Sequence, residues 1–210
     1  ATVLLMLSAL RRAATFHDAA RRGDGWRLDP AIFDKVGEVS GRTVGLVGYG
    51  EVARRVAPVL QVLGARIIYT ASAPKREALG EWRELADLLA EADVISLHMP
   101  VTAETENMLD AAAFAAMKPG AVLVNTARGG LVDQGALYHA LTEGTLLAAG
   151  LDVFAEEPIA DDEPLLRLDN VAIMPHVAWL TPQTFDRSIE IAVQNSRCVL
   201  DGGDFVHRIV

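Results

Sequence analysis

Six short apolar runs, separated by stretches of helical periodicity, set what this chain can fold into. The segments TVGLV (43–47), RIIYT (66–70), VISL (94–97), AVLVN (121–125), LAAGL (147–151) and VAI (171–173) read as strands with no wet face. Residues 51–63, 84–91, 109–117 and 133–142 read as the helices between them. Gly64 ends the first of these, and the Lys118-Pro119-Gly120 turn closes the third. Thr181 caps a final helix, with Pro182 at its first position, that runs to about Leu200 before Gly202 and Gly203. Strands apolar throughout, alternating with helices, predict a parallel sheet covered on both faces: a doubly wound α/β fold of the Rossmann type.

Composition narrows the partners. The 210 residues are 51% hydrophobic, enough for a substantial core. Nineteen basic against 28 acidic residues leave a net charge of −9, which disfavours nucleic acid and anionic membranes as general partners. The one cysteine, Cys198, excludes an internal disulfide framework and suits a reducing, cytoplasmic compartment. The apolar start is only about ten residues long before Arg11 and Arg12, too short to span a bilayer. That start lies already inside a helix, so a longer polypeptide whose first part is missing is expected.

In a parallel sheet of this kind ligands bind beyond the carboxyl ends of the strands. After the first strand stands GYGEVA, with Gly48, Gly50 and Ala53 in the three small-residue places. Small residues permit the tight turn and let backbone amides approach a pyrophosphate at the following helix N-terminus. A plain strand-to-helix turn explains such a motif equally well in isolation. Its context, following a strand and opening a run of βα units, favours a dinucleotide, with Gly48, Tyr49, Gly50, Glu51 and Val52 as contacts. Later strand ends deliver His98, Arg128, Asp152 with Glu157, and His176. Each has a bland explanation as a cap, a solvated loop residue or a packed histidine. Together they are what reversible hydride transfer to a carbonyl needs: a cation for the substrate, an imidazole for the proton, and a carboxylate to orient and charge it. No metal-ligand spacing stands out.

The segments GYGEVA, SLHMPVTAETENML, VNTARGGLVDQGAL, GLDVFAEEP and MPHVAWLT, in this order, resemble the successive signatures of the D-isomer-specific 2-hydroxyacid dehydrogenases. The resemblance implies an NAD(P)-dependent enzyme that interconverts a small 2-keto acid and a D-2-hydroxy acid. It implies Arg128 on the substrate carboxylate and carbonyl, His176 as acid/base, and Glu157, not Glu156, as the support of the histidine. It places Asp152, Thr126 and Ala127 beside the nicotinamide, with Arg128 and His176 also against the cofactor, and His98, Pro100 and Thr105 in the loop that passes it. HVAWLT resembles glycerate dehydrogenases and hydroxypyruvate/glyoxylate reductases more than lactate dehydrogenases, although Trp179 serves equally well as a packing residue.

The resemblance also divides the chain into an inter-domain and dimer helix (1–22), a dinucleotide-binding domain (23–180) and a helix returning to a substrate domain (181–210), whose first part is expected to be missing. Apolar surface is then expected along 3–10 and 181–200, and a homodimer is implied. At the end of the second strand Ala71 stands where an NAD-binding sheet carries an acid, followed by Ser72, Lys75 and Arg76. NADP(H) is therefore expected to be preferred, with NAD(H) possible. The second function class consistent with these residues is a dinucleotide-sensing corepressor of the same fold.

Overall fold

The computed structural model describes residues 1–26 and 30–206. Seven parallel strands form one sheet, β1 (Thr43–Val47), β2 (Arg66–Thr70), β3 (Glu81–Trp82), β4 (Val94–Leu97), β5 (Ala121–Asn125), β6 (Leu146–Leu151) and β7 (Val171–Ile173), in the order β3-β2-β1-β4-β5-β6-β7. This is the doubly wound arrangement expected, with the chain reversing direction across the sheet between β1 and β4. The edge strand β3 has no counterpart among the apolar runs because it is two residues long and carries a charge and an indole.

The helices are α1 (Thr2–Arg11), α2 (Ala13–Arg22), α3 (Glu51–Val62), α4 (Leu85–Glu91), α5 (Ala111–Ala116), α6 (Gln134–Thr142) and α7 (Pro182–Asp201). Capping explains where several begin: Asp110, Asp133 and Thr181 each accept a first-turn amide, from Ala113, Ala136 and Thr184 respectively. The helix expected from 109 therefore starts at 111, while Leu109 instead bridges in parallel to Val132.

Both faces of the sheet are covered. On one, Ile68, Ile95, Leu97, Leu123 and Leu151 meet Leu88, Phe114 and Leu137 from α4, α5 and α6. On the other, Val44, Leu46, Val94, Val122 and Val124 meet Leu5, Met6 and Leu10 of α1 and Val56 and Leu60 of α3. Alternate residues of one strand thus enter different cores, which is why these strands are apolar at every position.

The compact units are Ala1–His176 and Val177–Val210. Segment 3–10 is not the bare apolar surface expected: Leu5, Met6, Ala9 and Leu10 are buried against the sheet, and only Leu4 and Leu7 among its large apolar residues face outward. Full burial of Leu5, Met6 and Leu10 contributes about 2 kcal/mol each, an upper estimate. In α7, by contrast, no residue is buried, and Phe185, Ile189, Val193, Val199 and Leu200 are exposed. Among the described residues no helix is long and apolar enough to cross a membrane.

Candidate active site

The carboxyl edge of the sheet holds two differently built regions. The first surrounds the reversal between β1 and β4. Gly48 leaves β1 at φ +91°, its amide donating to Thr70 O at 3.0 Å. A Cβ there would lie 2.6 Å from His98 O, so the β1 and β4 exits can cross only at a glycine. Gly50 caps α3 without a side-chain hydrogen bond to the first turn, and nothing lies within 4 Å of where its Cβ would stand. The first amides of α3 are thus unclaimed by a side chain and face open space, the arrangement that accepts a phosphate.

Gly50, Glu51, Val52, His98, Met99, Pro100, Thr126, Ala127 and Arg128 line an open cleft of about 290 Å³. A second hollow of about 260 Å³ lies beyond β2, lined by Tyr49, Arg54, Lys75, Arg76, Glu77 and Ala78. Its wall is fixed by two tyrosines whose ring centroids are 4.5 Å apart. Tyr69 Oη accepts from Lys75 N at 2.7 Å, and Tyr49 Oη accepts from Leu79 N at 2.7 Å.

The second region is made of side chains on consecutive strand exits. A backbone ladder sets their level: Asp152 N donates to Asn125 O at 2.9 Å, and His176 N donates to Asp152 O at 2.7 Å. His176 takes φ +54° there, a left-handed conformation that a non-glycine residue holds only when its surroundings impose it. Its Nδ1 lies 2.6 Å from Glu157 Oε2, while Glu157 Oε1 accepts from the Phe154 amide at 3.0 Å. A carboxylate opposite Nδ1 makes that nitrogen the N–H donor. Partial burial pushes the Glu157 carboxyl upward, but the His176 hydrogen bond, the Phe154 amide and the charges of His176 and Arg128 outweigh it. The net result is below the ordinary carboxylate value. Arg128 is thus close enough for its charge to be felt at Glu157.

Arg128 is positioned by groups that sequence reading missed. Asn125, only 1% exposed, accepts from Ala127 N and donates to Arg128 O, folding the turn after β5 back on itself. Gly129 then runs so close to Phe154 and Ala155 that a Cβ would collide with their backbone. The glycine after the arginine therefore docks the Arg128 turn onto the loop that carries Glu157. An asparagine ending an apolar strand and a glycine in a loop carry no period to announce them.

The proposed cofactor contacts divide accordingly. Gly50, Glu51, Val52, His98, Pro100, Thr126, Ala127 and Arg128 share the cleft. Tyr49 turns its ring inward, at 4% exposure, and its hydroxyl is taken by Leu79, so its side chain shapes the loop beyond β2. Thr105 Oγ1 accepts from Thr102 N and donates to Pro100 O within its own turn. Ala71 directly follows β2, with its carbonyl accepting from Trp82 Nε1 at 3.2 Å; Ser72 is exposed beside it. Asp152 is fully buried beneath the histidine. Trp179 packs edge-on against Phe185, with centroids 5.5 Å apart, which accounts for it as a packing residue. Among the described residues no group of three His, Cys, Asp or Glu is gathered to hold a metal.

The family model of the D-isomer specific 2-hydroxyacid dehydrogenase NAD-binding domain matches residues 3–178. The chain belongs to this family. It is 42% identical over 202 residues to a glyoxylate reductase of Aeropyrum pernix, an alignment covering 92% of this chain and 60% of that protein. Its fold matches the TT0316 protein of Thermus thermophilus with a TM-score of 0.90 at 40% identity, covering all of this chain and 66% of that one. It also matches the NAD-complexed D-isomer specific 2-hydroxyacid dehydrogenase of Lactobacillus delbrueckii ssp. bulgaricus, at 30% identity and a TM-score of 0.88, again over the whole chain and 67% of that protein. The chain therefore spans about 60% of the length of the glyoxylate reductase and about two thirds of the two solved structures.

Proposed function

We propose that this chain carries the dinucleotide site and the acid/base machinery of an enzyme that interconverts a small 2-keto acid and a D-2-hydroxy acid. The observation that carries the proposal is the His176–Glu157 pair at 2.6 Å, within the field of Arg128 and on the same sheet edge as the open glycine turn. The unclaimed amides and the missing Cβ at Gly50 suit a pyrophosphate, while Thr126 and Ala127, which line the cleft, would flank the nicotinamide. When bound, the nicotinamide supplies or removes the hydride at C2 of the substrate.

The chain's own residues do the remainder. Arg128 holds the substrate carboxylate and polarises its carbonyl through charge-assisted hydrogen bonds. His176 Nε2 gives a proton to the carbonyl oxygen during reduction and takes it from the hydroxyl during oxidation. Glu157 accepts from Nδ1 and aims the ring. Because the Glu157 carboxyl lies below its ordinary value, it remains ionised across the neutral range.

The test is turnover by the full-length protein against a panel of small 2-keto acids, including glyoxylate, hydroxypyruvate and pyruvate. NADH and NADPH would be supplied in turn. Reduction of at least one, with hydroxypyruvate or glyoxylate preferred, is expected; no reduction of any would overturn the proposal. Nothing in the fold, the site or the relatives' names favours the corepressor alternative.

Within this reading NADPH is the preferred cofactor. Ala71 offers no carboxylate to grip a ribose diol or repel a 2′-phosphate, and Arg54, Lys75 and Arg76 line the hollow next to it. The kcat/KM ratio should favour NADPH, and Ala71→Asp should move it toward NADH by about tenfold, or ~1.4 kcal/mol. A tenfold preference of the wild-type protein for NADH would refute the assignment.

A further inference from the structure

We propose that Thr2, at the start of α1, is a positioning residue for the nicotinamide end of the cleft: its hydroxyl fixes that of Thr126 and thereby ties the turn leading to Arg128 to the body of the sheet. The proposal rests on the dinucleotide reading of that cleft. Thr2 and Thr126 are 124 positions apart, and their Oγ1 atoms lie 2.9 Å from each other, with Thr2 only 6% exposed. Thr126 is the first residue beyond β5 and lines the cleft.

A hydroxyl pair can position a loop only if one of its members is itself immobile, and α1 is held along its length. At Gly150 of β6 the helix backbone comes so close that a Cβ would stand 2.9 Å from Leu5 O, so no side chain separates helix from strand. At the far end Arg12, itself buried, donates to Asp169 Oδ1 at 3.0 Å and to the carbonyl oxygens of Lys35 and Leu147. Helix and sheet therefore move as one, and Thr2 presents its hydroxyl from a fixed origin.

The turn beyond β5 receives support from two directions. Asn125 holds its backbone through Ala127 N and Arg128 O, and Thr2 holds its first side chain. A threonine hydroxyl donates once and accepts twice. The bond with Thr2 fixes how Thr126 spends one of these, and so which way its remaining capacity turns toward the cleft. Without Thr2 Oγ1, Thr126 can rotate and the turn loses one of its anchors.

Thr2→Val keeps the branched shape against the sheet and removes only the hydroxyl. In the full-length protein it should weaken NADH and NADPH binding by about five- to tenfold, measured by fluorescence titration, with kcat at saturating cofactor changed less than about twofold. Thr2→Ser should restore binding to within about twofold. Thr126→Val should weaken binding comparably, and the double variant should be no worse than the poorer single one, because both changes remove the same interaction. A merely structural role for Thr2 would lower the melting temperature and leave the cofactor Kd and its coupling to Thr126 untouched. Wild-type affinity in Thr2→Val, failure of serine to rescue, or additive losses in the double variant would each overturn the assignment. A wild-type protein that binds neither NADH nor NADPH would overturn the dinucleotide site, and this inference with it.

Discussion

The two regions of the carboxyl edge solve different physical problems. Around Gly48 and Gly50 the chain withholds side chains and leaves bare space beside the first turn of α3, as the proposed pyrophosphate site requires. Around Asn125, Asp152, Glu157 and His176 it does the reverse, fixing each group through backbone ladders and side-chain hydrogen bonds, as the proposed acid/base and cation roles require. A glycine serves both regions, but for opposite reasons. Gly50 leaves open space where the proposed ligand would come near, whereas Gly129 is small because the protein has already come near.

The largest separation between the regions should come from His176→Ala in the full-length protein. Removing the proton carrier should lower kcat by at least ~100-fold, the usual contribution of a general acid–base group. Cofactor Kd should stay within about twofold, since the glycine turn is untouched. Steady-state kinetics with a 2-keto acid and direct cofactor titration measure the two quantities separately. Near-normal turnover would remove His176 from the mechanism, and a matching loss of cofactor affinity would erase the division between the regions.

Glycine replacements test the same division at a smaller scale. Gly129→Ala forces its methyl group into the Phe154–Ala155 backbone, which cannot swing aside as a side-chain end can. Overpacking of this kind costs about 1–3 kcal/mol, and the upper end is expected here in urea unfolding, along with a raised KM for the keto acid as Arg128 is displaced. Gly130→Ala is the control, because its Cβ would meet Val101 Cγ2 at an ordinary 3.4 Å and should unfold like wild type. Gly50→Ala should also unfold like wild type and yet bind the dinucleotide several-fold more weakly. Equal stability of the Gly129 and Gly50 variants would show that the docking of the Arg128 turn carries no weight.

The legibility of the chain follows the same division. The strand-to-helix turn at GYGEVA could be read because it is local: its strand, its small residues and its helix are contiguous. The ionisable groups at the strand ends could be listed, since strand ends can be found from apolar runs. Their mutual geometry could not, because Asn125 to Asp152 to His176 is a ladder across three strands, and register is fixed by the whole sheet. The role of the Tyr49 ring was out of reach for a related reason. Its neighbours in sequence face the open turn, but its ring finds Tyr69 and the loop beyond β2, a partner no local pattern discloses. The docking of α1 was likewise hidden, since Gly150 reads as one more small residue in a strand until Leu5 O is seen above it.

His98 stands where the two regions meet, and its titration offers a way to weigh that junction. It follows β4, with its amide donating to Val47 O at 2.7 Å and its Nε2 lying 2.9 Å from Ser96 Oγ. Burial disfavours the imidazolium and pushes the ring down from 6.5 to about 4. The unfolded chain therefore takes up a proton at this residue before the folded one does. The contribution of neutral His98 to stability is complete above the unfolded value and is lost as pH falls from about 6.5 through about 4. At ~1.4 kcal/mol per pKa unit the limit is roughly 3 kcal/mol, and partial exposure of the residue reduces the expected loss to about 1 kcal/mol by about pH 5. The Glu157 carboxyl, lowered rather than raised, loses its contribution only below its ordinary range, so the interval from about pH 6.5 to about pH 5 belongs chiefly to the histidine. Urea midpoints of wild type and His98→Gln across that interval separate the two. Wild type should weaken relative to the glutamine variant, which keeps a polar partner for Ser96 but cannot take up the proton. Parallel midpoints would mean that the crossing of the β1 and β4 exits tolerates a charge, and that its dryness is not what holds the two regions together.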